Sequence, residues 1–345
     1  MAKLMAPGDP LFPILDSPRI TPLARRAAEA ELDSTGHEIE YRPLESRSIL
    51  SRVNSARMVP FTHAINPYRG CEFGCRYCYA RYTHEFLEFT PEEFERKIYF
   101  KQNAAWLLEQ ELRQLKAGTY VALGTGTDPY QPLERRQRIT RSLLEVFARR
   151  GEFRLGIVTK SALIARDIDL LQEVAKRNQL TISITVTTLN TRLARILEPR
   201  APRPDLRIRT VAQLREAGLR AGVLCSPLMP GITDTRPSIE AVARAAAGAD
   251  AQFFFAGALF LKPCSQPTFL KFVAEHFPAQ LEAYKKRYEK SAFVSAEYKN
   301  RVRDLVESIR SQYRLGERYR SGSEWRELHT APADPASEQW SLPFQ

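Results

Sequence analysis

Asn66-Pro-Tyr-Arg-Gly-Cys71-Glu-Phe-Gly-Cys75-Arg-Tyr-Cys78-Tyr-Ala-Arg81 is the stretch on which the reading of this 345-residue chain turns. It sets three of the chain's five cysteines in the pattern C-x3-C-x2-C, with Cys225 and Cys264 far downstream. An odd, sparse set of cysteines argues against a disulfide framework. Three thiolates so close in sequence suit a cubane cluster, in which soft sulfur ligands hold three irons. A zinc site needs a fourth ligand, which would have to come from His63, His84, Cys225 or Cys264. Three buried thiols that are merely neighbours are the remaining alternative. Gly70 and Gly74 permit the tight wrapping that presents three sulfurs inward, which favours the cluster.

Outward from this stretch the chain alternates strand and helix. Strands are predicted near Thr62 to Asn66, then at Thr119 to Gly124, Phe153 to Lys160, Leu180 to Thr187, Ala221 to Cys225 and Gln252 to Leu261. Helices are predicted at Arg138 to Arg150, Ala162 to Asn178, Thr191 to Leu197, Leu206 to Ala217 and Ser238 to Ala247. The rhythm reads as six βα units around a parallel sheet, two short of a closed eight-fold barrel. Residues 1–57 read as an irregular N-terminal extension with a short helix from Ala24 to Leu32. Residues 58–265 read as the core, 266–320 as a C-terminal helical cap, and 321–345 as a loose tail in which Trp325 and Trp340 are candidates to dock.

Charge is strongly local. The chain carries a net +11, and residues 133–220 hold 19 basic against 9 acidic side chains, 17 of the basic ones being Arg. Arginine forks onto phosphate, so a nucleic-acid partner is one reading, and a solvated helical exterior is the other. Arg135, Arg136, Arg138 and Arg141 follow the second strand, and Arg200, Arg203, Arg207 and Arg209 follow the fourth. No apolar run approaches the ~18 residues of a membrane span, and no signal peptide is visible at the N-terminus, so a cytoplasmic location is expected. Oligomeric state is not readable.

The motif resembles that of the radical S-adenosylmethionine (SAM) superfamily, and within it the spore photoproduct lyase-like group, often labelled DNA repair photolyase, in a bacterial branch. The resemblance rests on Asn66 to Cys71, Cys78-Tyr-Ala-Arg81, Thr83-His-Glu85, Thr127-Asp-Pro-Tyr-Gln-Pro-Leu-Glu134 and Glu198-Pro-Arg-Ala-Pro202, and it covers roughly residues 47–262. It implies an α/β fold, a (β/α)6 partial TIM barrel. Cys71, Cys75 and Cys78 would hold a [4Fe-4S] cluster whose open iron binds SAM. Reductive cleavage would then yield a 5′-deoxyadenosyl radical for hydrogen abstraction from nucleic acid. A protein, peptide or small metabolite is the alternative substrate. A non-catalytic iron-sulfur protein is a further alternative, although electron carriers usually saturate their cluster with four cysteines. An external one-electron reductant, flavodoxin- or ferredoxin-like, is implied.

The resemblance also suggests roles for single residues. Thr127 or Asp128 would meet the SAM amino group, against a plain Asp-capped turn. Lys160, ending the third strand, would pair with the SAM carboxylate, against a solvated lysine. Ser183, Thr185 and Thr187 share one face of the fourth strand, with Thr185 the candidate for a cofactor contact. Tyr77 and Tyr79 match tyrosines that relay a hydrogen atom in spore photoproduct lyases, together with a cysteine ending the second strand. This chain has no cysteine there, and Cys225, ending the fifth strand, is the candidate substitute against a buried structural thiol. Cys264 receives no role. His63 and His84 flank the cluster and read mainly as packing residues, and Arg69 and Arg81 would raise its potential.

Overall fold

The computed structural model describes residues 21–30, 32, 34–36, 38–53 and 59–318. Six strands form its centre: β1 (His63–Ile65), β2 (Tyr120–Leu123), β3 (Arg154–Thr159), β4 (Gln179–Thr185), β5 (Ala221–Leu228) and β6 (Phe254–Ala258). They pair in chain order and every pairing is parallel. Parallel strands buried on both faces demand apolar or small side chains throughout, and the runs Tyr120–Leu123 and Ile182–Thr185 are buried without a break. Helices Ile139–Arg149, Ile168–Arg177, Pro204–Glu216 and Arg236–Gly248 cover the outside. Their buried positions recur at helical spacing, as at Ile139, Leu143, Val146 and Phe147. The six units leave the barrel open, as the rhythm predicted, so the fold is the α/β partial barrel.

The structure departs from the sequence reading in three places. The helix predicted from Arg138 begins at Ile139, because Arg138 is left-handed (φ 51°) and separates it from the turn Glu134–Gln137. The helix predicted from Ala162 opens as a tight turn over Ala162–Asp167, where Ser161 caps the Leu163 amide. The stretch before the barrel also contains strands. Leu50–Arg52 adds an antiparallel strand beside β1. A second sheet runs in the order Ser34–Gly36, Ile39–Pro43, Lys97–Phe100, Tyr68–Arg69. These strands are five residues or fewer, too short for alternation to stand out.

The helix at Pro22–Glu29 overlaps the predicted one, starting two residues earlier, where Thr21 caps it, and ending three earlier. After β6, helices Gln266–His276, Leu281–Tyr288 and Ala296–Gln312 follow, and the chain returns beside β6, where Gly316 pairs with Phe253. Among the described residues no helix is long and apolar enough to cross a membrane. Trp325, Trp340 and the tail lie outside the described residues.

Candidate active site

The three cysteines lie on the loop that leaves β1, at the end of the barrel where the strands' carboxyl termini gather. Gly70 (φ +78°) makes the first bend, and a Cβ there would stand 2.6 Å from the Lys97 carbonyl oxygen, which no side chain tolerates. Gly74 (φ +61°) makes the second. The amides of Cys71 and Cys78 donate to Phe94 O (3.0 Å) and Cys75 O (3.2 Å). Cys71 and Cys75 are buried and Cys78 is half-buried. Burial pushes all three thiols up, Cys75 to about 12; Cys75 and Cys78 raise Cys71 further, and Cys78 raises Cys75. Binding to metal removes that penalty by taking the thiolate form outright, so the donor set fits an iron-sulfur group. Among the described residues no three ligand side chains converge as they would on one metal ion.

Two sequence motifs brace this loop. From the β2 side, Gln131 donates to Gly70 O (3.2 Å) and accepts from the Glu72 amide (3.0 Å), clamping both neighbours of Cys71. Glu72 in turn accepts from Tyr41 Oη (2.8 Å) and the Leu133 amide (2.9 Å). Glu134 takes the Tyr68 hydroxyl, the Thr140 amide (2.9 Å) and Arg166 (3.0 Å). From the β4 side, Glu198 accepts from the Tyr77 hydroxyl and from Thr187 Oγ1 (3.2 Å), and its other oxygen pairs with Arg207 at 2.6 Å. Arg200 donates to Phe73 O through its amide and to Glu72 O and Glu95 O through its guanidinium, each at 3.3 Å. Beneath, buried Arg81 pairs with Glu95 (2.5 Å) and donates to Cys75 O (3.3 Å).

The candidate cofactor residues fall into two sets. Asp128 accepts three hydrogen bonds: Oδ1 accepts from Thr159 Oγ1 (2.6 Å) and the Tyr130 amide (2.9 Å), and Oδ2 from the Lys160 amide (2.8 Å). This is the Asp-capped turn, tying the β2 loop to the end of β3. Thr127 Oγ1 donates to Tyr68 O (3.3 Å). Asn66, given no role of its own in the sequence reading, orders the same turn through Oδ1, which accepts from Gly126 (2.7 Å) and Thr127 (3.3 Å). Its one signal was its place opening the quoted stretch.

Lys160 reaches the barrel interior, its ammonium 5.6 Å from the Tyr77 ring centre. Burial alone would lower it, but Cys75 and Glu198 outweigh burial and hold it charged. Ser183 Oγ is buried with no hydrogen-bond partner among the described residues. Thr185 is buried beside it along β4, and its carbonyl accepts from Arg207 (3.2 Å).

Tyr77 and Tyr79 both donate their hydroxyls within the protein, to Glu198 and to Thr125 O. Cys225 is buried in the core, its thiol 3.8 Å from Thr187 O. Cys264 lies closer to the cysteine loop than its sequence position suggested: its thiol donates to Tyr79 O at 3.7 Å. His84 packs among Phe89 and Phe94, and burial lowers its pKa to about 4. His63 sits at the start of β1, away from the cysteine loop. Burial lowers Arg69 to about 10. Of the eight arginines considered as a phosphate rim, Arg207 is buried against Glu198, Arg141 pairs with Asp167 (2.7 Å), Arg203 with Asp205 (3.0 Å), and Arg200 binds loop carbonyls.

Comparison with known proteins decides the family. A model of the Radical SAM superfamily matches residues 65–241, which takes in the cysteine loop and β2 to β5. The chain belongs to the radical SAM superfamily. This radical SAM protein is 30% identical over 309 residues to an uncharacterised protein of Mycobacterium tuberculosis, covering 89% of this chain and 87% of that one. An uncharacterised protein of Methanocaldococcus jannaschii is 28% identical over 182 residues, 53% of this chain and 66% of that one. Among solved structures, spore photoproduct lyase complexed with dinucleoside spore photoproduct superposes with a TM-score of 0.58 at 14% identity, covering 81% and 82% of the two chains. A variant of that enzyme with bound AdoMet and dinucleoside spore photoproduct gives 0.56 at 14% identity, covering 80% and 81%. At this identity the likeness is one of fold.

Proposed function

We propose that this radical SAM protein cleaves SAM reductively and uses the resulting radical to abstract hydrogen from a nucleic-acid substrate. The observation that carries the reading is the loop of three thiols at the open end of a parallel partial barrel. Cys71, Cys75 and Cys78 would hold a [4Fe-4S] cluster, which, with SAM and one electron from an external reductant, would supply the 5′-deoxyadenosyl radical chemistry. The chain's own residues then bind and orient. Lys160, held charged, is suited to the SAM carboxylate. The Gly126–Thr127 turn ordered by Asn66 presents backbone to the amino group. Thr185, with the unpartnered Ser183 hydroxyl, lines the interior where the sugar would lie. Burial of Tyr77 and Thr185 keeps water from the reacting atoms. Asp128 supports the turn and, with one acceptor position of Oδ2 unused by these bonds, is the second candidate for the amino group.

Nucleic acid is the favoured class because Arg135, Arg136 and Arg138 are exposed beside the mouth and the fold matches spore photoproduct lyase solved with dinucleoside spore photoproduct. A protein, peptide or metabolite substrate is the second reading. It is favoured by the internal engagement of Arg141, Arg200, Arg203 and Arg207. We assign residues 58–265 to the catalytic core and 266–320 to a cap. Anaerobic turnover with SAM separates the readings. Candidate oligonucleotides and peptides, deuterated at exchange-inert carbons, should transfer label to 5′-deoxyadenosine only when the class is right. Absence of 5′-deoxyadenosine with reduced, iron-loaded protein would reject the reading.

A further inference from the structure

The cysteine loop has two faces. Tyr77 and Lys160 occupy the inner one, toward the barrel. The outer one is covered by the helix Thr191–Leu197 and the loop that follows it: the Arg76 amide donates to Leu197 O (2.9 Å) and the Arg200 amide to Phe73 O (3.3 Å). Arginines crowd this outer face. Arg76 is half-exposed, and Arg195, Arg200 and Arg203 are exposed. Arg195 donates to Pro199 O (3.0 Å) and Arg200 to Glu72 O, one residue from Cys71. Arg136 flanks them, stacked 5.1 Å over the Tyr41 ring that supports Glu72. The acids facing this group are Glu95, shared by Arg76 (3.7 Å) and buried Arg81 (2.5 Å), and Asp205, paired with Arg203. The balance is positive, and one carbonyl that Arg200 grips, Glu72 O, belongs to the residue next to Cys71.

We propose that this arginine surface docks an acidic one-electron carrier protein and is the electron entry face. The inference rests on the reading of the three thiols as cluster ligands. A substrate must meet the inner face, where Lys160 and Thr185 are. An electron can enter through the outer one, across the short helix Thr191–Leu197 and the loop after it, which touch the cysteine loop at Arg76 and Phe73. In the step itself the carrier loses one electron, the cluster-loaded protein gains it, and no bond forms or breaks. Part of the local excess of arginine is thereby explained without a nucleic acid. Complementary charge steers such encounters and makes them salt-sensitive.

The test compares two reductants on the reconstituted protein. The probes are a small acidic [2Fe-2S] ferredoxin, kept reduced, and dithionite, which needs no docking. The double variant Arg195→Glu/Arg203→Glu should reduce at an unchanged rate with dithionite. With ferredoxin it should fall by about tenfold or more and lose most of its salt dependence. Ferredoxin affinity, measured by titration without turnover, should fall in parallel. Arg113→Glu/Lys116→Glu, on and just after the turn Leu112–Gln114 before β2 where both side chains are exposed, serves as a control of equal charge change and should match the parent. If the reversal unfolds the chain, Arg195→Gln/Arg203→Gln replaces it, with a smaller loss expected. Equal ferredoxin rates in parent and variant at low salt would overturn the proposal. So would an oligonucleotide whose binding, and not that of ferredoxin, is lost in the variant. Failure of dithionite itself to reduce the parent would instead count against the thiols as cluster ligands.

Discussion

Glu198 is where the account predicts the largest single effect outside the cysteines. Its carboxylate and the Arg207 guanidinium are each about 1% exposed and 2.6 Å apart. Burial would raise the carboxyl, but Arg207 and Lys160 outweigh it and hold it below the usual range. Glu198→Ala leaves Arg207 buried without its carboxylate, which costs about 3–5 kcal/mol. The Tyr77 hydroxyl also loses its acceptor, at about 1–3 kcal/mol. Unfolding temperature should drop by roughly 10 °C or more at about 2–4 °C per kcal/mol. The loop that carries Cys75 and Cys78 should load iron poorly. Glu198→Gln keeps the shape and loses the charge, and should fall between. Glu198→Leu with Arg207→Met removes both charges at similar volume and should recover most of the stability, though not the Tyr77 hydrogen bond. Thermal unfolding of iron-free protein, followed by circular dichroism, gives the order of the four forms. A Glu198→Ala midpoint within about 1 °C of the parent, or equal to that of the double variant, would refute a buried pair that holds the loop.

Gly70→Ala should abolish iron loading, since the added Cβ meets carbonyl oxygens at 2.6 and 2.8 Å in a left-handed bend; normal iron content would contradict the loop geometry. Lys101 is lowered by burial, and then by Arg69, to about 7. The unfolded chain therefore binds a proton that the folded one refuses between about pH 7 and pH 10.4, and stability should rise with pH across that window. Lys101→Met should add a few kcal/mol near pH 7 and flatten that slope in urea titrations; an unchanged slope would show the amine to be charged in the fold. Arg81→Gln should move the cluster midpoint to more negative potential, because a buried cation beside Cys75 favours the reduced form; an unmoved midpoint in a redox titration would remove Arg81 from that role.

The barrel was legible because its strands recur at regular spacing between amphipathic helices, as Tyr120–Leu123 and Arg154–Thr159 do on either side of Ile139–Arg149. The thiol loop was legible because cysteine spacing is itself the ligand geometry. The second sheet was not, because strands of two to five residues carry no period. Asp128 and Tyr77 were legible as important residues but not in their bonds. Thr159, Lys160 and Glu198 approach them from 31, 32 and 121 residues away, and a linear pattern does not encode such meetings. The partners of the arginines were illegible for the same reason. Arg207 and Arg141 count as surface charge in composition, yet the fold pairs them with Glu198 and Asp167. Cys264 went unassigned because its neighbour Tyr79 lies 185 residues earlier.

The most direct test is anaerobic reconstitution with iron and sulfide, followed by dithionite and SAM. The parent should bind about four irons per chain, turn brown and release 5′-deoxyadenosine. The Cys71→Ala/Cys75→Ala/Cys78→Ala variant should do none of these. Iron retained by that variant, or an iron-loaded, reduced parent that leaves SAM intact, would contradict the central claim.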